Sequence, residues 1–270
     1  MDSTLLSESQ MLQQCLDPST RAPLIKLLND TLTLTHAEAL LKHPNFRTLI
    51  DSSRVADLQL MHQLLKNVGK QSDLRKEWAG HLKGVSEKIL NDEQAIAKFQ
   101  FKVIENVVKF VKQSEDLISR VFLEKEDSDT FKLALKDALL HSLNINSNQT
   151  AEFIAKYLDM HLKKASTSTS LESEQELRLV IDDVIKIFRQ VKSKDVFEEF
   201  YARSLSRRLL LKKSINREAE QMMITLLKAE CGDLFTAKVE GMIKDLNLSN
   251  EFMQTYKDTK GINDSYILSK

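Results

Sequence analysis

Cysteines, histidines and a run of basic residues are the side chains of this sequence whose types could support chemistry. The two cysteines, Cys15 and Cys231, lie far apart and belong to no CxxC motif, which is typical of reduced thiols in an intracellular protein. Cys231 stands in a helix-ending turn, Glu230-Cys231-Gly232, and no histidine lies near it in the sequence to activate it. We therefore expect Cys231 to pack at a helix end. The alternative is a thiol nucleophile.

The six histidines form no HExxH motif and no histidine and carboxylate pattern typical of a metal site. Gly80 and Gly84 lie within a helical pattern and do not follow a strand, which excludes a phosphate-binding loop. The sequence thus predicts no catalytic, cofactor-binding or metal-binding residues. It places the histidines on helix surfaces or boundaries: His36, His43, His62, His81, His141 and His161.

One basic run stands out among the charged residues. Leucines interleave with its cations, so the spacing predicts a solvated helix face, and the alternative is a docking surface for an acidic partner. Glu198 and Glu199, one or two turns earlier, partly neutralise this charge and argue against nucleic acid. The cations are Arg203, Arg207, Arg208, Lys212 and Lys213.

The composition indicates helices and gives no sign of a membrane segment or a secretory signal. The 39 basic and 39 acidic side chains cancel, so no overall field attracts nucleic acid or an acidic surface. No apolar run approaches the roughly 20 residues that a bilayer requires. The chain has only three prolines and six glycines, too few for the turns of a strand-rich protein. An all-α fold follows.

Apolar residues at three- and four-residue steps place the helices. The longest is predicted over roughly Glu93 to Glu124, with Val107 and Phe110 on its buried stripe. Truncating Phe110 to alanine should then cost roughly 3–5 kcal/mol. The small hydroxylated residues 165–170 mark a boundary, and further helices are predicted after the caps Ser173 to Glu176 and Asp195 to Glu198, from Ser214 to Cys231, and through Phe235 to Leu246.

The stretch from Lys194 to Leu248 resembles the opening of the cullin homology region. A weaker resemblance to the third cullin repeat covers Arg54 to Leu58 and Ala151 to Tyr157. The matching pieces of the stronger stretch are Lys194-Asp195-Val196-Phe197, Phe200-Tyr201, Leu205, Arg207-Arg208-Leu209-Leu210, Lys213-Ser214, Leu227-Lys228, Glu230-Cys231-Gly232, Phe235-Thr236, Lys238, Glu240-Gly241-Met242 and Lys244-Asp245.

This resemblance implies an all-α chain in which a helical cullin-repeat stalk (residues 1–165) is followed by a four-helix bundle (166–260) and an extended tail (261–270). It also implies a non-catalytic scaffold segment of a cullin-RING ubiquitin ligase, located in the cytoplasm or nucleus, with ligase subunits or cullin regulators as protein partners. Nucleic acid, membranes, cofactors and small-molecule substrates are not expected.

Measured against the family, the chain lacks the first stalk repeat and ends before the regions that hold the RING subunit and accept the ubiquitin-like modifier. Residues 1–270 alone are therefore expected neither to bind a RING subunit stably nor to accept the modifier. Three alternatives stay open: a helical-repeat adaptor without ligase assembly, a decoy regulator, and a thiol transferase that uses Cys231. The tail from Gly261 to Leu268 has no helical spacing, and we expect it to be mobile or to pair with another molecule.

Overall fold

The computed structural model describes residues 30–41, 45–165, 171–211 and 217–260, together with scattered positions before residue 30. In these ranges every regular element is helical, which confirms the all-α prediction. After a π-helical turn at Asp30–Leu34, the helices are α1 Thr35–Leu41, α2 Asn45–Asp51, α3 Val55–Asn67, α4 Gln71–Leu90, α5 Glu93–Lys98, α6 Gln100–Val121, α7 Lys125–Leu143, α8 Ser147–Ala165, α9 Leu171–Phe188, α10 Lys194–Leu210, α11 Arg217–Cys231 and α12 Asp233–Lys260.

The chain divides into two compact units. The first consists of the described residues up to 89 and of residues 109–142. Its core is built around Trp78, which contacts Phe122 and Phe131 edge to face at ring-centroid distances of 5.3 and 5.5 Å. Phe122 and Phe131 stack on each other at 3.8 Å, and Phe46 lies 6.0 Å from the indole. Burial of these aromatic rings gives the first unit a single apolar centre.

The predicted long helix from Glu93 to Glu124 is wrong, because Phe99 interrupts it. Phe99 has φ −150° and ψ 85°, and it separates α5 from α6. The Asp92 side chain caps α5 by accepting hydrogen bonds from the backbone N–H groups of Gln94 and Ala95. Phe110 is only half-buried, whereas Val107 is fully buried. The prediction that Val107 is buried is therefore confirmed, whereas Phe110 is more exposed than predicted.

The second unit contains residues 90–108 and the described residues from 143 onward. Here α8 packs on α9 and α10, α11 packs on α9, and α12 packs on α10 and α11. Gly232, with φ +88°, separates α11 from α12, which confirms the predicted stop. The division of the chain at residue 165 stays a prediction. The start of α11 near Ser214 and the tail from Gly261 to Leu268 lie outside the described residues.

Two predicted helix caps are wrong. Helix α10 begins at Lys194 after Ser193, which makes no side-chain capping hydrogen bond, and Asp195 lies inside the first turn. A carboxylate in the first turn interacts favourably with the positive end of the helix dipole, but it does not cap the helix. Helix α9 begins at Leu171, so Ser173 also lies within a first turn and not before it.

Candidate functional site

The basic run of α10 provides the most unusual arrangement of charge in the described residues. Arg203 and Arg207 are exposed as expected, and Lys212 and Lys213 lie outside the described residues. The prediction of a solvated face is wrong for Arg208, whose side chain has 0% exposure. Arg208 follows Phe197, Tyr201 and Leu205 at four- and three-residue steps, so it lies on the buried stripe of the helix.

Arg208 is neutralised by two carboxylates from different helices. Its Nε donates to Glu220 Oε1 of α11 at 2.7 Å and its Nη2 to Glu220 Oε2 at 3.0 Å, so the pair is bidentate. Its Nη1 donates to Asp159 of α8. The Tyr201 hydroxyl donates to Glu220 Oε2 at 3.0 Å. We call Arg208, Glu220, Asp159 and Tyr201 the buried ion cluster. It joins α8, α10 and α11.

The surroundings of the buried ion cluster keep Arg208 charged and Tyr201 neutral. Burial is the largest influence and opposes the charge of Arg208, but the surrounding Glu220, Tyr201 and Asp159 together outweigh it and raise the pKa of the guanidinium above its usual range. Burial, together with the negative Glu220, raises the pKa of Tyr201 well above its usual value, so this phenol stays protonated and can donate. The hydrogen bonds of the cluster connect three helices through buried charged groups.

A second polar junction in this unit joins the α8 start to the α9–α10 turn. Asn144 donates from Nδ2 to the Gln190 carbonyl at 2.7 Å and accepts from the Lys192 N–H at 2.8 Å. The Ser193 N–H donates to Ser147 Oγ at 3.1 Å. These bonds satisfy backbone groups of the turn and hold its position against α8.

Cys231 lies at the end of α11 and is half-buried. Burial raises the pKa of its thiol, and the neighbouring Lys194 ammonium offsets only part of that effect. A raised pKa keeps the thiol protonated near neutral pH, whereas a nucleophilic cysteine requires a lowered pKa. The other candidate, Cys15, lies outside the described residues.

Two histidines contradict the expectation of surface positions. His62 and His81 are buried, because they follow the apolar stripes of α3 and α4. The Nε2 of His62 lies 3.3 Å from Asp127, and that of His81 lies 3.3 Å from Asp51. Of the others, His36 and His141 are exposed and His161 is half-buried, whereas His43 lies outside the described residues.

Stability of the first unit should fall in mild acid because of His62 and His81. Burial is the main cause that lowers the pKa of both side chains from 6.5, against the opposing carboxylates. The unfolded chain therefore takes up protons first. The histidine contribution is fully present above the unfolded pKa and is lost as pH falls toward the folded pKa, by at most about 1.4 kcal/mol per pH unit for each histidine.

Urea unfolding at pH values around 7.5 and 5.5 measures this loss. The double variant His62→Gln/His81→Gln should show a shallower dependence of the unfolding free energy on pH than the original chain. An equally steep dependence would assign the acid sensitivity to carboxylates instead.

Other classes of site receive no support from the described residues. No three His, Cys, Asp or Glu side chains among them are grouped so that they could hold a metal ion. None of the described helices has the length and apolar character that crossing a membrane requires. What the geometry provides is a set of helices fixed by buried polar contacts.

Comparison with known proteins agrees with this architecture. A family model described as the cullin alpha solenoid domain matches residues 1–253. The chain is 33% identical to Cullin-4 of Dictyostelium discoideum over 255 residues, which cover 94% of this chain and 30% of that protein. It is 35% identical to Cullin-4A of Mus musculus over 250 residues, covering 90% of this chain and 31% of the relative.

One further relative has a lower identity to the chain. Cullin-3 of Dictyostelium discoideum is 28% identical over 256 residues, which cover 94% of this chain and 32% of that protein. The chain thus spans between 30% and 32% of the length of these curated relatives.

Proposed function

The chain belongs to the cullin family, and we propose that it serves as a scaffold segment of a cullin-RING ubiquitin ligase. The observation that carries this proposal is the match of the cullin solenoid model to residues 1–253. In this role the chain contributes no reacting group. It holds protein subunits at set positions, so that a substrate lies close to a ubiquitin-charged enzyme and transfer is accelerated by proximity.

The buried polar contacts of the second unit support such a role. A scaffold requires helices that keep their relative positions, and buried polar contacts add a directional constraint to the packing of their apolar side chains. The buried ion cluster fixes α8, α10 and α11 to one another through a bidentate pair and a third carboxylate. Because each donor has a set acceptor, sliding of a helix would leave a buried charge unpaired.

We further propose that the partners are ligase subunits or cullin regulators and that the protein acts in the cytoplasm or nucleus. Affinity purification of the protein, tagged at its own genomic locus, followed by mass spectrometry tests these proposals. RING-type and adaptor subunits should be recovered together with the tagged protein. Recovery of neither class would overturn the scaffold proposal and favour a helical adaptor without ligase assembly.

Two neighbouring arginines provide matched variants for this purification. Arg208→Glu places a second negative charge against Glu220 and should disrupt the second unit, whereas Arg207→Glu changes an exposed side chain. At equal amounts of captured protein, the ligase subunits should be reduced with Arg208→Glu and retained with Arg207→Glu. Equal recovery with both variants would mean that binding of the ligase subunits does not depend on an intact second unit.

Replacing Cys231 with serine should leave ubiquitin transfer by the assembled complex unchanged, because the thiol packs at a helix end with a raised pKa. Single-turnover transfer by the original and Cys231→Ser complexes measures the effect. Circular dichroism of both proteins controls for folding. Complete loss of transfer in a folded variant would mean that the thiol takes part in the chemistry.

A further inference from the structure

Helix α12 changes the direction of its apolar face along its length. In its first half, Val239 is buried and Ile243 and Leu246 line a groove against α11. In its second half, Leu248, Phe252 and Tyr256 are spaced four residues apart, and Met253 is a fourth apolar residue beside them. At about 100° per residue, Phe252 lies half a turn away from Ile243. The second apolar face therefore does not continue the face that Ile243 turns toward α11.

This second face is exposed. The exposed fractions are 73% for Phe252, 55% for Tyr256 and 42% for Leu248. We call these three residues the outward stripe. They line a shallow hollow of about 560 Å³ together with Asp245, Ser249 and Met253. Side chains on the opposite side of this half, Asn250 and Gln254, are polar and also exposed. Contiguous large apolar side chains rimmed by polar groups mark an interaction surface.

The charges around the outward stripe are mainly acidic. Asp245 continues the stripe at its N-terminal end and Glu251 lies along one edge, whereas Asp258 accepts a hydrogen bond from Gln254 on the other side of the helix. Lys244 is the cation on the same edge as Glu251, and all four charged side chains are exposed. A protein surface that covers the stripe would meet the carboxylates of Asp245 and Glu251 and the ammonium of Lys244, so basic side chains on the partner would be complementary.

The dimensions suit a helix. Leu248 and Tyr256 are eight residues apart, about 12 Å along α12, which is the reach of two turns. Residues at four-residue spacing form a ridge that packs into the groove of another helix. Leu248 also lines the adjacent groove between α11 and α12, of about 560 Å³, so a partner that extends past the stripe would gain further contact there.

A second copy of the chain fits this surface less well. A symmetric antiparallel pair centred on Phe252 brings the same edge of both copies together, so Glu251 would lie close to Glu251 of the second copy. Three side chains of this size also offer less area than the roughly 800 Å² per partner of a standard interface. We propose that the outward stripe is a docking surface for a basic amphipathic helix of another protein, with apolar residues at four-residue spacing flanked by arginine or lysine.

Binding of synthetic peptides to the full 270-residue chain tests this proposal, independently of membership in a ligase. The probe is a fluorescein-labelled amphipathic peptide with leucines at four-residue spacing and arginines on both flanks. A matched peptide carries glutamates in place of the arginines. Fluorescence anisotropy should show at least about tenfold weaker binding of the acidic peptide, and binding of the basic peptide should weaken as salt is added.

The chain offers a matched pair of variants. Phe252→Ser/Tyr256→Ser removes most of the stripe, and Leu234→Ser changes a leucine that is 92% exposed elsewhere on α12. The first should weaken basic-peptide binding by at least about tenfold, and the second should leave it unchanged. Hydrogen exchange should show new protection within residues 245–257 when the basic peptide is added. Unchanged circular dichroism confirms that the variants are folded.

Four results would overturn the proposal. They are equal binding of both peptides, unchanged binding by Phe252→Ser/Tyr256→Ser, a dimer in sedimentation equilibrium that this variant abolishes, and a gain of peptide binding when residues 262–270 are deleted. The third would assign the stripe to a second copy and the fourth to the chain's own C-terminal segment.

Discussion

Replacing Arg208 with methionine is expected to lower the free energy of unfolding of the second unit by about 3–5 kcal/mol. The guanidinium and the Glu220 carboxylate are almost completely inaccessible, with side-chain exposures of 0% and 3%. Without the arginine, the buried Glu220 carboxyl group loses its bidentate cation and keeps the bond from the Tyr201 hydroxyl. Urea unfolding followed by circular dichroism at 222 nm measures the loss.

The neighbouring Arg207 provides the control. Its side chain is exposed, so Arg207→Met should change stability by no more than about 0.5 kcal/mol. The double variant Arg208→Met/Glu220→Leu should recover most of the stability, because it removes the Arg208–Glu220 pair and fills the site with apolar atoms, while Asp159 keeps its ion pair with Lys163. A loss below about 1 kcal/mol for Arg208→Met would show that water reaches Glu220 and that the cluster does not fix the helices.

The helical spacing of Arg208 indicated that it is buried, but the other cations of the basic run suggested a solvated face. Phe197, Tyr201, Leu205 and Arg208 share one helical stripe, so the arginine could have been placed among apolar residues. Treating all cations of the run as one solvated group hid this. The partner, Glu220, lies on another helix, and local periodicity cannot identify a carboxylate that becomes a neighbour only after folding.

The break at Phe99 shows a second limit of periodicity. Only one residue, Phe99, is non-helical between α5 and α6. The apolar residues on both sides of it still recur at three- and four-residue steps, so the two helices were predicted as one. The cap was visible in the sequence, since Asp92 precedes α5 and accepts from two of its N–H groups. The stop at Gly232 was predicted correctly because a glycine is needed where φ is positive.

The outward stripe of α12 was also readable as a spacing. Leu248, Phe252 and Tyr256 recur every four residues, but a stripe by itself predicts only that one side is apolar. The contacts of the first half of α12 set the rotation of the helix about its axis, and this rotation determines which side of the second half can be covered. Ile243 faces the bundle there, and Phe252, half a turn away, is exposed.

In the first unit, replacing Trp78 with alanine is expected to cost about 3–5 kcal/mol. Trp78 is 1% exposed and contacts Phe46, Phe122 and Phe131, so its removal leaves a cavity at the point where these rings meet. Thermal and urea unfolding followed by circular dichroism measure the loss, since the only tryptophan of the chain is removed as a fluorescent reporter.

Two matched variants separate packing from other causes of that loss. Phe110→Ala also deletes an aromatic ring, but this ring is half-buried, so less apolar area is lost and the destabilisation should be clearly smaller. Trp78→Phe keeps a ring in the core and removes the indole N–H, which is buried without a hydrogen-bond partner. Because removal of an unpaired buried donor relieves a desolvation cost, this variant should retain most of the stability that Trp78→Ala loses. Equal losses for Trp78→Phe and Trp78→Ala would contradict this explanation, because a phenyl ring would then contribute no packing energy at this site.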